Sequence, residues 1–415
     1  MYFISVRKAQ KMIGILLMTF PFLSFDFILI SPSLRSLQTG LIILLSIFVI
    51  IRAIKQKLIV DKFFVLLILF LVSVAPFSLV EMNIEVLDIL KFYGRRIGYF
   101  SLCLLIVMYL KKDAYLFTKT MTYLYTVIVS LNFITIVLFP EGLSSVVVNG
   151  VVNRFWLLGY DNGHAVYQIY AIMFSMLYTY MKKGRIISGI VIYIYVISLF
   201  STISLWMATT IVSLLLIPIT IIWGAKRINS KIFNMRAYEY IIAGICAVLL
   251  ILTFFDSNNS FISWLTTDVL KKDITFNNRT GIWLMYFSHM KSFIYGNGYE
   301  TELIQKSRYW INSAHNQWFQ LFYYGGIIHI IAYLAMLHVF VKRVSYNYSG
   351  IPQRIISSCV FAFMIIQLMR TCHEDYWLTM YTIGAFSQYI VCQRKLNRAF
   401  TINRLYRNNH LSQLS

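Results

Sequence analysis

Apolar segments of about twenty residues recur along nearly the whole chain, and this repetition constrains the fold more than any motif does. The 415 residues are 59% hydrophobic and only 13% charged, which is too little charge to cover the surface of a soluble protein. A run of about 18 apolar residues is long enough to cross a bilayer as a helix. The sequence therefore predicts an all-α polytopic membrane protein, with residues 1–415 forming a single integral membrane domain.

Counting the apolar runs predicts about twelve transmembrane helices. They are placed at residues 12–32, 37–52, 59–80, 96–110, 118–139, 164–181, 186–203, 205–223, 238–255, 317–341, 355–371 and 376–393. Basic residues gather in alternate short connections, so the positive-inside rule predicts that both termini face the cytoplasm. The first run lacks a small-residue cleavage site, and no cleaved signal peptide is expected.

The net charge of +21 is explained by these basic connections, and nucleic-acid binding is not expected. The five cysteines form no CxxC pair, which argues against a disulfide framework or a structural zinc site. Cys372, His373 and Glu374 are consecutive, so they could not all face one ion from a helix. No metal or other cofactor is predicted.

Two extracytoplasmic loops are long enough to form a pocket. The first covers residues 140–163, and the second, residues 256–316, is the only long hydrophilic stretch. Loops of this length usually carry function. The segment 81–96 has apolar residues at helical spacing and is predicted to lie on the outer membrane surface as an amphipathic helix.

Arg154, Arg279 and His315 are the residues in these loops best suited to chemistry. Each has a simpler interpretation: arginines beside aromatic residues commonly anchor a protein at the membrane surface, and a single histidine can merely begin a helix. Together, however, two guanidinium groups would suit a lipid diphosphate at headgroup depth. A histidine could accept the proton of a hydroxyl nucleophile. This combination indicates glycosyl transfer without a metal.

Other functional classes are less well supported. The long loop has no DxD-like acidic pair for a metal-bound nucleotide sugar, and the chain has no Walker motif for ATP. Asp26, His329 and His338 are the main ionisable residues within the predicted spans, whereas transporters generally keep such groups at the midplane. The charge of this chain gathers in the outside loops, so a lipid-linked oligosaccharide flippase is less well supported. It is kept as the alternative from a different functional class.

The order of the loop motifs resembles that of Wzy-type polysaccharide polymerases, which share a superfamily with WaaL-type O-antigen ligases. The motifs span residues 150–330 and are, in order, Arg154, Gly159 with Asn162, Arg279 with Trp283, Gly296 with Gly298, Ala314-His315-Asn316, and Gly325-Gly326. Many members also carry a Ser-Arg pair near the outer start of a middle span, where this chain reads Ser201-Thr202-Ile203-Ser204-Leu205-Trp206. The arginine is missing here, and Arg308 is the candidate to replace it.

The resemblance implies a GT-C-like glycosyltransferase of the bacterial cytoplasmic (inner) membrane. It would join undecaprenyl-diphosphate-linked repeat units into capsule or O-antigen, or act as a ligase on another acceptor. A chain-length regulator and a flippase are the implied partners. By position, His315, Arg279 and Arg154 would be catalytic, and Asn316 would orient His315. The remaining substrate-binding candidates are Asn162, Arg308, Trp283, Gly296 and Gly298.

Overall fold

A computed structural model describes residues 2–23, 32–74, 86–148, 151–160, 163–224, 235–254, 279–298, 313–346, 350–372 and 374–395. The described part of the chain is mostly helical. Its helices are α1 (Tyr2–Thr19), α2 (Pro32–Lys55), α3 (Lys62–Val72), α4 (Val86–Leu138), α5 (Gly163–Lys183), α6 (Gly189–Ser204), α7 (Ala208–Trp223), α8 (Met235–Phe254), α9 (Arg279–Ser288), α10 (Gln317–Tyr346), α11 (Ile351–Met369) and α12 (Glu374–Ala385). A three-residue helical turn, Phe20–Phe22, follows α1, and residues 388–395 are also helical.

The helices confirm a membrane-embedded protein at a coarse level. Among the described residues, four helical segments are long and apolar enough to cross a bilayer: Leu37–Lys55, Lys91–Leu138, Gln317–Ser345 and Ile351–Met369. The apolar helices α3, α6 and α7 are shorter. Large apolar side chains such as Leu44 and Ile222 are exposed on the outside of the bundle. Such exposure is stable where the surrounding medium is lipid.

Helix α5 occupies the centre of the bundle. It packs against α4, α6 and α11, while α10 packs against α3 and α12. Every residue of α5 from Gly163 to Met181 is buried. A helix with no charged residue around its circumference, as here from Gly163 to Met181, is typically enclosed by other helices in this way. The two ends of α5 therefore mark the two ends of the bundle.

Helix α4 joins two predicted spans and the predicted surface helix. Residues 86–96, the described part of segment 81–96, are helical and continue directly into the predicted span, so they do not form a helix of their own. The helix is interrupted only at Asp113, whose φ of −159° and ψ of 80° are not helical. The Asp113 carboxylate accepts a hydrogen bond from the Leu116 amide at 2.9 Å, so it caps the second half of the helix.

The break between α6 and α7 lies just after the predicted position, residues 201–204. Trp206 adopts a positive φ of 50°, and the Met207 amide donates to the Thr202 carbonyl at 2.9 Å. This hydrogen bond resembles a helix C-cap and ends α6 locally.

The loop 140–163 contains a small antiparallel sheet, which the sequence analysis did not predict. Its strands are β1 (Ser144–Val148), β2 (Val151–Trp156) and β3 (Gly159–Tyr160), in the order β1-β2-β3. Val148 pairs with Val151, so only two residues connect the first two strands. Those residues are Asn149 and Gly150, and Asn-Gly between β-branched runs is a strong hairpin signal.

Candidate functional site

His315 lies at the start of α10 in an uncommon backbone conformation. Its φ is +49°, in the left-handed region that non-glycine residues adopt rarely and mostly where the surroundings impose it. The side chain is half-buried between the buried residues Ala314 and Asn316. The Ala314 amide donates to Gln320 Oε1 at 2.7 Å, which attaches the preceding residue to the first turn of α10.

Asn316 caps α10 and also attaches it to α11. Its Oδ1 accepts from the amides of Trp318 at 2.9 Å and Phe319 at 3.1 Å, the usual geometry of a helix N-cap. Its Nδ2 donates to the Leu368 carbonyl at 3.0 Å. Both ends of the amide are thus engaged in holding the backbone that carries His315, and Asn316 itself is fully buried.

A second hydrogen bond brings the end of α11 beside His315. The Cys372 amide donates to Gln317 Oε1 at 2.7 Å. Together with the bond from Asn316 to Leu368, this contact brackets Arg370, which ends α11 in an extended conformation. Arg370 is therefore held next to the His315 segment, although the sequence analysis did not select it.

Arg370 also reaches the first turn of α5. A methyl group added to Gly163 would lie 3.0 Å from Arg370 Nη1 and 3.4 Å from Nη2. Glycine at this position therefore allows the guanidinium to approach the helix start closely. The same end is joined to α12, because the hydroxyl groups of Tyr167 and Tyr376 lie 2.6 Å apart. The starts of α5, α10 and α12 thus meet around Arg370.

Trp283 attaches α9 to the His315 segment. It is fully buried, and its indole Nε1 donates to the Ala314 carbonyl at 2.9 Å. Its ring also contacts Phe319 edge-on at 4.9 Å between centroids. In the structure the indole of Trp283, one of the substrate-binding candidates, positions the residue before His315. Arg279 is the first residue of α9, and its side chain lies outside the described residues.

The Gly-Asn-Gly and Gly-Gly motifs contact each other through their backbones. Helix α10 is interrupted at Gly326, whose φ of 59° and ψ of −155° are not helical. The amides of Asn297 and Gly298 donate to the carbonyls of Tyr323 and Tyr324 at 2.8 and 2.9 Å. On the other side of the break, the amides of Ile327 and Ile328 donate to the carbonyls of Phe293 and Ile294 at 2.9 and 3.2 Å.

The segment Phe293–Gly298 therefore replaces the helical hydrogen bonds that α10 loses at its break. This exchange matters in an apolar medium, where an unpaired backbone group costs several kcal/mol. This close contact between the two backbones also requires glycine at position 296, because a methyl group there would lie 2.6 Å from the Gly325 nitrogen. Gly296 and Gly298, both predicted to bind substrate, are buried at this contact. The amides of Asn297 and Gly298 attach the long loop to α10.

Arg154 lies on the exposed hairpin and forms an ion pair with Glu141. The hairpin is attached to the bundle by His164 in the first turn of α5. His164 Nε2 donates to the Gly159 carbonyl at 3.0 Å, and Nδ1 accepts from Asn132 Nδ2 at 3.1 Å. Only the neutral imidazole protonated on Nε2 satisfies both contacts. Arg154 is thus placed at the same end of the bundle as His315. The candidates Asn162 and Arg308 lie outside the described residues.

A buried ion pair was the feature that sequence reasoning missed most completely. Arg96 in α4 is only 2% exposed, and its Nη2 lies 2.7 Å from Glu374 Oε1 at the start of α12. Its Nη1 donates to the Leu71 carbonyl at 2.7 Å, and the guanidinium carbon lies 4.3 Å from the centroid of the Phe92 ring. An arginine inside an apolar helix is the sequence signal that could have identified it.

The charges of this end favour an anion. Helices α5 and α10 have no acidic residue in their first turns, so no carboxylate there neutralises their partial positive charges next to Arg370 and His315. The start of α12 differs, because Glu374 and Asp375 lie in its first turn. No group of three or more possible metal-ligating side chains occurs among the described residues. We refer below to His315, Arg370, Arg154 and the starts of α5 and α10 as the polar end.

No family model, curated protein or solved structure matches this chain. The function is therefore inferred from the residues of the polar end themselves.

Proposed function

We propose that this protein polymerises undecaprenyl-diphosphate-linked oligosaccharide repeat units into capsule or O-antigen. The observation that carries the proposal is the position of His315. It is held in a left-handed conformation beside Arg370, where two helix starts meet at one end of an apolar bundle. A lipid diphosphate keeps its charge at headgroup depth while its chain stays in the bilayer, so this end matches its geometry.

The chemistry needs one proton acceptor and a stabilised leaving group. A hydroxyl oxygen of the acceptor glycan attacks the anomeric carbon of the donor glycan, and the bond from that carbon to the diphosphate oxygen breaks. His315 takes the hydroxyl proton. Arg370 and Arg154, together with Arg279, stabilise the charge that develops on the departing diphosphate. No step needs a metal.

The finer topology belongs to the same proposal. About twelve transmembrane helices in a GT-C-like arrangement would place the hairpin and the loop 256–316 outside the cytoplasm, with both termini inside. The membrane would be the bacterial cytoplasmic (inner) membrane. A flippase would supply the lipid-linked repeat unit, and a chain-length regulator would act on the growing polymer.

Glycan size after disruption of the gene in its own host tests the proposal. We expect surface glycan to shrink to a single repeat unit. Full-length polymer that stays on its lipid carrier would instead identify a ligase. Repeat units that accumulate on the cytoplasmic face, with no surface glycan, would identify a flippase. Either of the last two results would exclude polymerisation as the function.

His315→Asn tests the proton acceptor directly. Asparagine tolerates a left-handed backbone, so the variant removes the imidazole at little conformational cost. We expect a loss of polymer of about 10²–10⁴-fold at normal protein level, the usual contribution of a general base. His289→Ala is the matched control, because His289 is an exposed histidine of the same loop. Unchanged polymer in His315→Asn would leave His315 a purely structural role.

A further inference from the structure

A basic cavity lies at the end of the bundle opposite the polar end. Helix α5 runs from Gly163, next to Arg370, to Lys183. At 1.5 Å per residue its length is about 30 Å, the thickness of a bilayer's hydrocarbon core. The cavity has a volume of about 260 Å³ and lies between the last turn of α5, the start of α6 and Tyr123 of α4. It is too far from His315 to belong to the same site.

Ammonium groups and tyrosine rings surround this cavity. Lys182 and Lys183 line it and are exposed, and none of its lining residues is acidic. Lys182 Nζ lies 5.7 Å from the Tyr178 ring centroid, and Lys119 Nζ lies 5.6 Å from that of Tyr123. These cation–π contacts hold the side chains of Lys182 and Lys119 against the tyrosine rings of the cavity wall rather than leaving them extended into water.

The start of α6 adds backbone donors to the cavity. Ser188 is the N-cap residue, but its side chain makes no capping hydrogen bond. Its Oγ instead lies 2.7 Å from Thr179 Oγ1 on α5. The first N–H groups of any helix have no acceptor within it, and here those of Gly189 and Ile190 belong to lining residues. A methyl group on Gly189 would meet nothing within 4 Å, so its backbone is accessible.

The carboxylate of Asp113, at the break in the middle of α4, is already occupied. Asp113 Oδ1 accepts from the Leu116 amide at 2.9 Å and from Gln393 Nε2 at 3.2 Å. It therefore serves the helix cap and the contact with residues 388–395. The lysines of the cavity are left with positive charge that no lining carboxylate balances.

We propose that this cavity binds a phosphate group, and that its source is the headgroup of an anionic phospholipid at this surface of the bilayer. Lysine ammonium groups, hydroxyl groups and helix-start N–H groups are the donors that phosphate sites use. A basic pocket between transmembrane helices is a recurrent site for anionic headgroups. The half-buried Ile190 in the wall and the 63% exposed Ile187 beside it offer apolar surface for the adjoining acyl chains. The site is independent of the function proposed for the polar end.

Titration of the purified full-length protein with short-chain lipids tests this site. The probes are dihexanoyl phosphatidylglycerol, dihexanoyl phosphatidylcholine and inorganic phosphate, with binding followed by calorimetry. We expect saturable binding of phosphatidylglycerol, about tenfold tighter than that of phosphatidylcholine, because the choline headgroup carries no net charge. Lys182→Gln combined with Lys183→Gln should weaken it by about tenfold or more, since each lysine near an anionic surface contributes roughly a factor of five.

Two further double variants separate the cavity from general surface charge. Lys111→Gln with Lys112→Gln removes the same charge from exposed positions at the same end, and should change binding less than about twofold. Lys182→Arg with Lys183→Arg keeps the charge and should keep the binding. Equal weakening by both glutamine pairs, or no saturable binding, would overturn the site. Tighter binding of inorganic phosphate than of phosphatidylglycerol would overturn the lipid as its source.

Discussion

Two arginine–carboxylate pairs among the described residues lie in opposite environments, at the same end of the bundle as the polar end. Arg96 and Glu374 are 2% and 15% exposed, whereas Arg154 and Glu141 on the hairpin are 45% and 79% exposed. The buried pair joins α4 to α12 and lies among aromatic rings. The exposed pair joins two residues of one loop. A search of the hydrophilic loops therefore misses Arg96 and Glu374, which hold this end of the bundle together. Arg154 is exposed enough to contact a ligand.

Arg96→Ala should have the largest effect on stability. It would leave the Glu374 carboxylate without its partner in a nearly dry site, and breaking a buried pair in this way costs about 3–5 kcal/mol. We expect little monodisperse protein in detergent, and a strongly lowered Tm for what remains. Size-exclusion chromatography with thermal unfolding measures both.

Arg96→Met with Glu374→Leu is the informative companion to that variant. Replacing both members by apolar residues removes the unpaired charge, and such replacements are often neutral or stabilising. Recovery of stability in the double variant would show that the single variant failed because of the orphaned carboxylate. A double variant as unstable as Arg96→Ala would show that the pair contributes to the fold in another way.

Gly326→Ala should have the next largest effect on stability. Its φ of 59° is unfavourable for alanine, and the added methyl group would lie 2.5 Å from the Ile294 carbonyl. Strain of this kind costs about 1–3 kcal/mol at one residue. The contact with Phe293–Gly298 should loosen, and the amides of Ile327 and Ile328 should exchange with deuterium faster.

Gly244→Ala in α8 is the control for Gly326→Ala. A methyl group there would meet nothing within 4 Å, and alanine favours a helix. We expect unchanged or slightly higher thermal stability. Equal destabilisation by both glycine variants would contradict the idea that the loop supports the break in α10.

Arg154→Ala should have the opposite effect to Arg96→Ala, with little change in stability and a loss of function. Exposed ion pairs contribute between about 0 and 1 kcal/mol, so we expect the Tm to stay within a few degrees of the unmodified protein. Under the proposed function, polymer output should fall, since a guanidinium is lost from the polar end. Glu141→Ala removes the other partner and should leave output high. Equal loss of output in both variants would assign the pair, rather than the arginine alone, to the function.

The sequence predicted the helices well because their signal is local. Apolar runs located α5, α10 and α11 within a few residues. It did not identify Arg96 or Arg370, because their importance comes from partners far along the chain: Glu374 in one case and Gly163 in the other. The contact between Gly296 and Gly326 is likewise a pairing of backbones that no local pattern reveals.

The smallest predicted effect concerns Cys372, which lies between α11 and α12 beside Arg370. Burial raises the pKa of its thiol from an ordinary value of 9.0 to about 11, while Arg370 opposes this increase. At pH 8 only about one thiol in a thousand would be ionised, so maleimide should label Cys372 far more slowly than the exposed Cys392. Mass spectrometry of labelled peptides measures the two rates.

The same pKa shift fixes the direction of a pH effect on stability. Because the folded state favours the neutral thiol, its contribution is fully present below pH 9 and is lost as the pH rises towards 11. Cys372→Ala should remove this decline without changing the Tm trend at pH 7–8. Rapid labelling at pH 8 would mean that the segment between α11 and α12 opens readily. Arg370 would then be held less firmly than the hydrogen bonds of Gln317 and Asn316 imply. The segment that carries it would be as accessible to solvent as the hairpin that carries Arg154.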